Sequence, residues 1–240
     1  MTTPPLPAPG EAVDTASLAG LIFDFDGVIV ESADIKTAAF RALYRQYGED
    51  IVAGALAHHQ ENGGISRRQK IRYCHRTLLG LHLSEAELEH LCLRFSELVE
   101  DAVVDAPPVP GAETLLAALA GAVPMFVVSG TPQAELSRIV ARRGLNGHFV
   151  EVHGSPPEKP PIIRGILDRH RLPADRVLFI GDAMTDYRAA VETSLRFVGR
   201  VQAGNDNPFP EGVAVVADLT ALTPLDPQAR RTTGGRIDGE

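Results

Sequence analysis

The chain has 240 residues, 44% of them hydrophobic and 22% charged, proportions of a soluble globular protein able to bury one good core with a smaller unit appended. Its 23 basic and 31 acidic residues give a net charge of −8, which excludes the broad positive footprint of a nucleic-acid-binding protein. No apolar run approaches the ~20 residues that span a bilayer, and the opening "MTTPPLPAPGEAVDTASLAG" has neither the basic nor the apolar region of a secretory signal. The expectation is therefore a cytoplasmic protein, monomeric or a small homo-oligomer, without membrane or nucleic-acid partners.

In chain order, residues 1–18 read as a disordered, proline-bearing lead. "LIFDFDGVIVES" then opens as a buried strand at Leu21 and ends in Asp24 and Asp26, separated only by Phe25. Buried carboxylates are costly unless they are paired, hydrogen-bonded or bound to a cation. Phe40, Leu43, Tyr44 and Tyr47 follow at i, i+3, i+4 and i+7, the period of an amphipathic helix. "ENGGISRRQK" reads as a glycine-rich basic loop before a helical run that ends near Gly80. Leu88, Leu91, Cys92, Phe95, Leu98 and Val99 make a longer stripe, preceded by Ser84 and Glu87 at the spacing of a capping box. Cys74 and Cys92 form no CxxC and read as small buried hydrophobes. His58 and His59 read as surface residues. Residues 33–105 thus form a helical insertion, closed by the proline-rich hinge "DAPPVPGAE".

Beyond the hinge the rhythm alternates. "PMFVVSG" is a strand, and "TPQAELSRIVARRG" a helix with Thr131 as N-cap and Pro132 at its first position. "HFVEV" is a strand, "PIIRGILDRH" a helix and "RVLFIGD" a buried strand; "MTDYRAAVET" is a helix, and "LRFVGRV" and "GVAVVAD" are strands. Residues 226–240 read as a flexible tail. Apolar strands alternating with helices specify an α/β fold with a parallel sheet covered on both faces. We expect a Rossmann-like core over 19–32 and 106–225, interrupted by a helical cap over 33–105.

Ligands of open α/β sheets bind at the carboxyl ends of the strands. Asp24 and Asp26, Ser129 and Gly130, and Asp182 with Asp186 a turn later all fall at such ends, and Lys159 precedes a helix. Acids gathered this way repel one another unless a cation lies between them, and oxygen ligands suit Mg²⁺, which leaves room for substrate phosphate. A hydroxyl beside backbone N–H groups cradles phosphate oxygens, and a lysine neutralises developing charge. This is a constellation for phosphoryl transfer.

In that order, "DFDGVIVES", "VVSGT", the lysine of "SPPEKPP" and "GDAMTD" resemble the motifs of the haloacid dehalogenase-like hydrolase superfamily. The insertion resembles its C1-type cap, in the phosphoglycolate phosphatase and β-phosphoglucomutase branch. The resemblance implies Asp24 as nucleophile, forming an aspartyl-phosphate, and Asp26 as general acid and then base. Ser129 and Gly130 would bind the phosphoryl group, with Lys159 bridging it to the nucleophile. Mg²⁺ would be held by Asp24, Asp26 through its carbonyl, and Asp182, supported by Asp186. Ala183 departs from a serine common in relatives, which removes a secondary hydrogen bond and no catalytic role. True dehalogenases lack the second aspartate, so Asp26 favours phosphate esters. "GISR" resembles the substrate-reading cap loop of β-phosphoglucomutase, which makes Arg67, and more weakly Lys70 and Arg68, candidates for contacting a second anionic or hydroxyl-rich part of the substrate. The expected function is Mg²⁺-dependent hydrolysis of a small phosphorylated metabolite, a sugar phosphate or a phosphoglycolate-like monoester. A phosphomutase on the same core is the alternative. A receiver-like signalling domain or a non-catalytic binding protein is the alternative of a different class; the acid pair on the first strand and the inserted helices argue against a receiver domain.

Overall fold

Strand β1 (Gly20–Phe23) is buried along its whole length. Leu21 and Phe23 enter one apolar cluster and Ile22 another, so both faces of the strand are covered. That is why its sequence is a continuous apolar run rather than an alternating one. The computed structural model describes residues 18–222; the expected lead over 1–17, the last residues expected in the core (223–225) and the tail lie outside the described residues.

Five more strands pair in parallel around β1: β2 (Met125–Pro132), β3 (Glu151–Ser155), β4 (Val177–Gly181), β5 (Arg196–Arg200) and β6 (Val215–Val216), in the order β3-β2-β1-β4-β5-β6. The chain winds outward from β1 to β3, then crosses back to β4 on the other side of β1. The crevice at the carboxyl ends of β1 and β4 is therefore the switch point of a doubly wound sheet. Helices α5 (Ala112–Leu119) and α6 (Gln133–Arg142) bury Leu115, Leu116, Leu136, Ile139 and Val140 against one face. Helices α7 (Lys159–His170) and α8 (Met184–Glu192) bury Ile162, Ile163, Ile166, Ala189 and Ala190 against the other.

Between β1 and α5 the chain is helical: α1 (Ala33–Tyr44), α2 (Glu49–Glu61), α3 (Arg67–Tyr73), a π-helical turn over Cys74–Leu78 and α4 (Glu85–Asp105). Phe40 of α1 packs on Phe95 of α4 with ring centroids 4.7 Å apart. The Ser84–Glu87 capping box is present at the start of α4. Leu98 is exposed, because the buried stripe runs Leu88, Phe95, Val99, Val103 and leaves it on the shoulder of the helix.

Several sequence expectations change. Thr131 and Pro132 belong to β2, and α6 starts at Gln133, so Thr131 is not a helix cap. Its hydroxyl has other partners, described below. The basic stretch after Gly64 is the first turn of α3, where Ser66 and Gln69 form a second capping box. Lys159 is the first residue of α7 rather than part of the preceding loop. Strand β3 begins at Glu151, later than "HFVEV" suggests. Helices α2 and α5 were not singled out: α2 buries only Val52 and Ala55, a face too narrow to stand out, and α5 is a single short apolar run.

The two connections between insertion and core run side by side, with the Glu31 N–H donating to Pro107 O at 3.0 Å. Arg200 of β5 donates to both oxygens of Glu31, at 2.6 and 3.0 Å. Arg143 donates to the carbonyls of Val103, Val104 and Ala106, satisfying acceptors left open where α4 ends.

Candidate active site

After Phe23 the chain leaves the sheet but stays anchored, the Asp24 N–H donating to Ile180 O at 2.9 Å. Phe25 turns into the core and is fully buried, so Asp24 and Asp26 face the crevice on the same side. Gly27 then turns back at φ +74°, and a Cβ there would run into the Asp182 carboxylate. Glycine at this position is what lets β1 and β4 bring their acids together.

The crevice is the floor of a cavity of about 800 Å³ whose roof is the helical insertion; Asp24, Asp26, Ser129, Gly130 and Asp182 line it from the core, and Lys36, His59, Gly64, Arg67 and Lys70 from the insertion. Carboxylate oxygens of Asp24, Asp182 and Asp186 lie within 4.8 Å of one another. Lys159 Nζ sits 2.5 Å from Asp186 Oδ1 and 3.0 Å from Asp24 Oδ1. Burial opposes the lysine's charge, but Asp186 and Asp24 outweigh it and hold the ammonium above the usual lysine range. Burial, reinforced by Asp186 and Asp26, outweighs Lys159 and pushes Asp24 up to about 6. Burial and Asp24 likewise raise Asp182 well above the usual carboxylate range. Buried Asp24 Oδ1 has the Lys159 ammonium 3.0 Å away but no well-aligned hydrogen bond. Three gathered acids, with Asp24 and Asp182 raised by burial and by their neighbours' charge, are what a hard cation would relieve, so these residues fit a divalent metal. Asp186 also accepts the Ala183 N–H at 3.0 Å, which fixes it at the start of α8.

Asp26 is set differently. Its Oδ1 accepts from Ser32 Oγ at 2.7 Å, and its Oδ2 from Thr131 Oγ1 at 2.8 Å, Ser129 Oγ at 3.4 Å and the Lys36 ammonium. Lys36 also donates to Thr131 Oγ1 at 2.7 Å. Burial works to raise Asp26, but Lys36 and the hydroxyl donors prevail and hold it at about 2. Two carboxyls two residues apart are thus driven in opposite directions by their surroundings, a recurrent mark of divided acid–base roles.

Lys36 and Thr131 were missed by the sequence reading. Lys36 lies one helical turn inside α1, where a lone lysine looks like a solvated charge, and Thr131 looked like a cap. The spacing to the motif residues was the only available signal. His59 is no surface residue: it lines the cavity, packs on Phe40 and accepts from Lys70 at Nδ1, 2.8 Å. Burial and Lys70 lower it to about 3, so the ring is neutral. His58 is half-buried, stacked on Tyr73 with centroids 3.6 Å apart. Both cysteines are free, Cys74 buried and Cys92 half-buried.

Arg67 borders the cavity, yet its guanidinium is already engaged: it forks onto Glu135 of α6 at 2.6 and 2.7 Å, donates to Ser96 and lies 4.5 Å over the Phe95 ring. The expectation of an arginine free to read substrate gives way to one that ties α3 to α6. Arg68 points outward onto Glu85 and Glu89. The insertion also presses glycine against the core. Gly63 faces Ala183, Gly64 faces Thr185, and a Cβ on Gly130 would strike the Gly64 carbonyl. Thr185 Oγ1 donates to Gly63 O at 2.5 Å.

A family model described as haloacid dehalogenase-like hydrolase matches residues 18–192. The chain belongs to the haloacid dehalogenase-like hydrolase family. Among curated relatives, a phosphoglycolate phosphatase of Photobacterium profundum is 27% identical over 191 residues, covering 75% of this chain and 81% of that protein. A phosphoglycolate phosphatase of Pectobacterium atrosepticum is 26% identical, covering 80% of this chain and 84% of that one. In fold the chain is similar to β-phosphoglucomutase from Clostridium difficile, with a TM-score of 0.69 at 18% identity, over 90% of this chain and 96% of that one. It is also similar to CbbY from Rhodobacter sphaeroides, solved in complex with xylulose-(1,5)bisphosphate, with a TM-score of 0.66 at 16% identity, over 85% and 99% of the two chains. The family match spans residues 18–192, and the likeness to the solved structures is one of fold. Among its described residues, no helix is long and apolar enough to cross a membrane.

Proposed function

We propose that this hydrolase removes the phosphoryl group from a small phosphorylated metabolite, with Mg²⁺ as its metal and Asp24 as the nucleophile that carries an aspartyl-phosphate. One observation carries the reading: at the end of β1, Asp24 is grouped with Lys159 and the acids of a cation site, while Asp26, two residues on, is gripped by hydroxyls and Lys36. Asp24, the Asp26 carbonyl and Asp182 would hold the metal, with Asp186 fixing Lys159. When bound, the metal supplies charge neutralisation, which keeps Asp24 ionised and draws the phosphoryl oxygens toward it.

Ser129 Oγ and the backbone at Gly130 would receive the phosphoryl oxygens, and Lys159 would neutralise charge between phosphate and nucleophile. Asp24 attacks phosphorus as the P–O bond to the leaving alcohol breaks, and Asp26 gives that oxygen its proton. In the second half Asp26 takes a proton from the water that splits the aspartyl-phosphate. In the structure Asp26 is in the ionised form that the second half needs. The first half needs it protonated, and the negative charge of a phosphate bound beside Asp26 works in that direction. The helical insertion, residues 33–105, acts as a cap over 19–32 and 106–222, excluding water while the acyl-phosphate exists.

The test is phosphate release from a panel of sugar phosphates, phosphoglycolate and related monoesters, with and without Mg²⁺. Turnover of a small monoester that requires the metal is the expected result. Isomerisation of β-glucose 1-phosphate without free phosphate would replace the reading by a phosphomutase, and inactivity on the whole panel would remove it.

A further inference from the structure

Arg200 ends β5, and β4 lies between that strand and β1. Its guanidinium nevertheless reaches the segment that follows the acid pair. Nη1 donates to Gly27 O at 3.3 Å and to Glu31 Oε2 at 3.0 Å, Nη2 to Glu31 Oε1 at 2.6 Å, and Nε to Ala217 O at 2.9 Å. The residue is 5% exposed. It borders the cavity, yet these bonds occupy four of the five N–H donors of a guanidinium. A forked pair with a carboxylate fixes orientation as well as charge. No step of the proposed mechanism uses this arginine.

The points that Arg200 holds lie on either side of Asp26. Gly27 follows Asp26 directly, and Glu31 precedes Ser32, whose Oγ donates to Asp26 Oδ1 at 2.7 Å. Between them the chain closes on itself: the Gly27 N–H donates to Val30 O at 2.7 Å, and the Val30 N–H to Phe25 O at 3.2 Å. Arg200 joins both ends of this closed turn to the sheet. The other reacting groups are held by different elements. The Asp24 N–H donates to Ile180 O, and Asp186 is fixed by the Ala183 N–H and by Lys159. We infer that Arg200 is a positioning residue for the acid–base step: through Glu31 and Gly27 it aims the Asp26 carboxyl at the leaving-group oxygen, with little hold on the nucleophile or the cation site. This inference rests on the roles given to Asp24 and Asp26 in the phosphatase reading above.

The test separates esters by how far their leaving group needs the proton from Asp26. An alkoxide leaves with a proton, whereas p-nitrophenolate leaves as a stable anion. Arg200→Met should lower kcat on the alkyl monoester of the panel above that wild type hydrolyses fastest by roughly tenfold to a hundredfold, the loss for a misplaced general acid, with KM nearly unchanged. In a single turnover with enzyme in excess, p-nitrophenolate release from p-nitrophenyl phosphate should stay close to the wild-type rate, because that step uses Asp24 and not Asp26. Arg200→Lys should recover part of the lost kcat. Glu31→Gln should show the same split between esters, and adding it to Arg200→Met should cost little more, since both act through one contact. Arg164→Met, which breaks an exposed ion pair with Glu192, should leave both esters as they are. Equal slowing of the two esters in Arg200→Met, or in Glu31→Gln where the arginine variant does not fold, overturns the inference and leaves the phosphatase reading standing. Wild-type kcat on the alkyl ester in a folded Arg200→Met does the same. Absence of phosphate release by wild type from the whole panel and from p-nitrophenyl phosphate overturns both.

Discussion

Replacing Glu135 by leucine should destabilise the protein far more than a typical surface change, although Glu135 is not proposed to touch substrate. The Glu135 and Arg67 side chains are 2% and 5% exposed, so water screens their attraction little. Both Glu135 oxygens are used: Oε1 accepts from Arg67 Nη2 at 2.6 Å, and Oε2 from Arg67 Nη1 at 2.7 Å and Ser96 Oγ at 2.6 Å. Removing the carboxylate leaves a buried guanidinium that no other acid is placed to meet, a loss of about 3–5 kcal/mol. For a chain of this length that corresponds to a fall in Tm of roughly 6–20 °C. The paired change Arg67→Met/Glu135→Leu removes the orphaned charge together with its partner. It should recover most of the loss, to within about 1 kcal/mol of wild type, because a buried ion pair is often worth no more than apolar packing of similar volume. Urea unfolding of the wild type, both single variants and the double variant, closed as a double-mutant cycle, reads the coupling directly. A single variant that loses under 1 kcal/mol, or a double variant as unstable as Glu135→Leu, would refute the assignment of Arg67 as a buried tie between α3 and α6.

Asp24→Asn should abolish phosphate release while leaving the metal-free protein at least as stable, because a neutral amide relieves the crowding that pushes Asp24 to about 6; wild-type turnover by this variant would show that another group is the nucleophile. The same displacement fixes a pH dependence. With Asp24 and Asp182 raised above their unfolded values, they contribute stability in full below the unfolded carboxylate range and lose it as pH rises through about 6 and beyond. Added Mg²⁺ needs the ionised carboxylates, so its increase in Tm should grow from pH 5 to pH 7, and an increase independent of pH over that interval would contradict the proposed ligands. Gly130→Ala should lower kcat/KM by tenfold or more with the circular dichroism spectrum retained, since the added methyl would strike the Gly64 carbonyl and lift the insertion from the core; unchanged kinetics would mean that this close approach is not needed for turnover.

The strand-end acids were legible because a strand buried on both faces is a continuous apolar run, and polar residues that interrupt it stand out. Asp24, Asp26, Ser129 and Asp182 stood out in this way, Asp186 followed as the acid one turn beyond Asp182, and Lys159 as the lysine just before a helix; the parallel α/β class and the helical insertion came from the rhythm of strands and helices. The insertion's internal order was less legible, since α2 buries two small side chains and the basic stretch after Gly64 has loop composition but helix capping.

By itself, the sequence determined which acids stand at the strand ends and therefore the chemical class of the crevice, because periodicity and strand-end position are local properties of the chain. Only the tertiary structure decided which counter-charge each group meets. Arg67 and Glu135 are 68 positions apart, and Thr131 and Asp26 are 105 apart; no local pattern links either pair. Lys36, Arg67 and Lys70 are alike in composition, yet packing matches the first two with carboxylates and leaves the third with a neutral histidine. Since the energy of a buried charge depends on its nearest partner and on the water excluded around it, three basic residues become a clamp on Asp26, a tie between helices and a donor to His59.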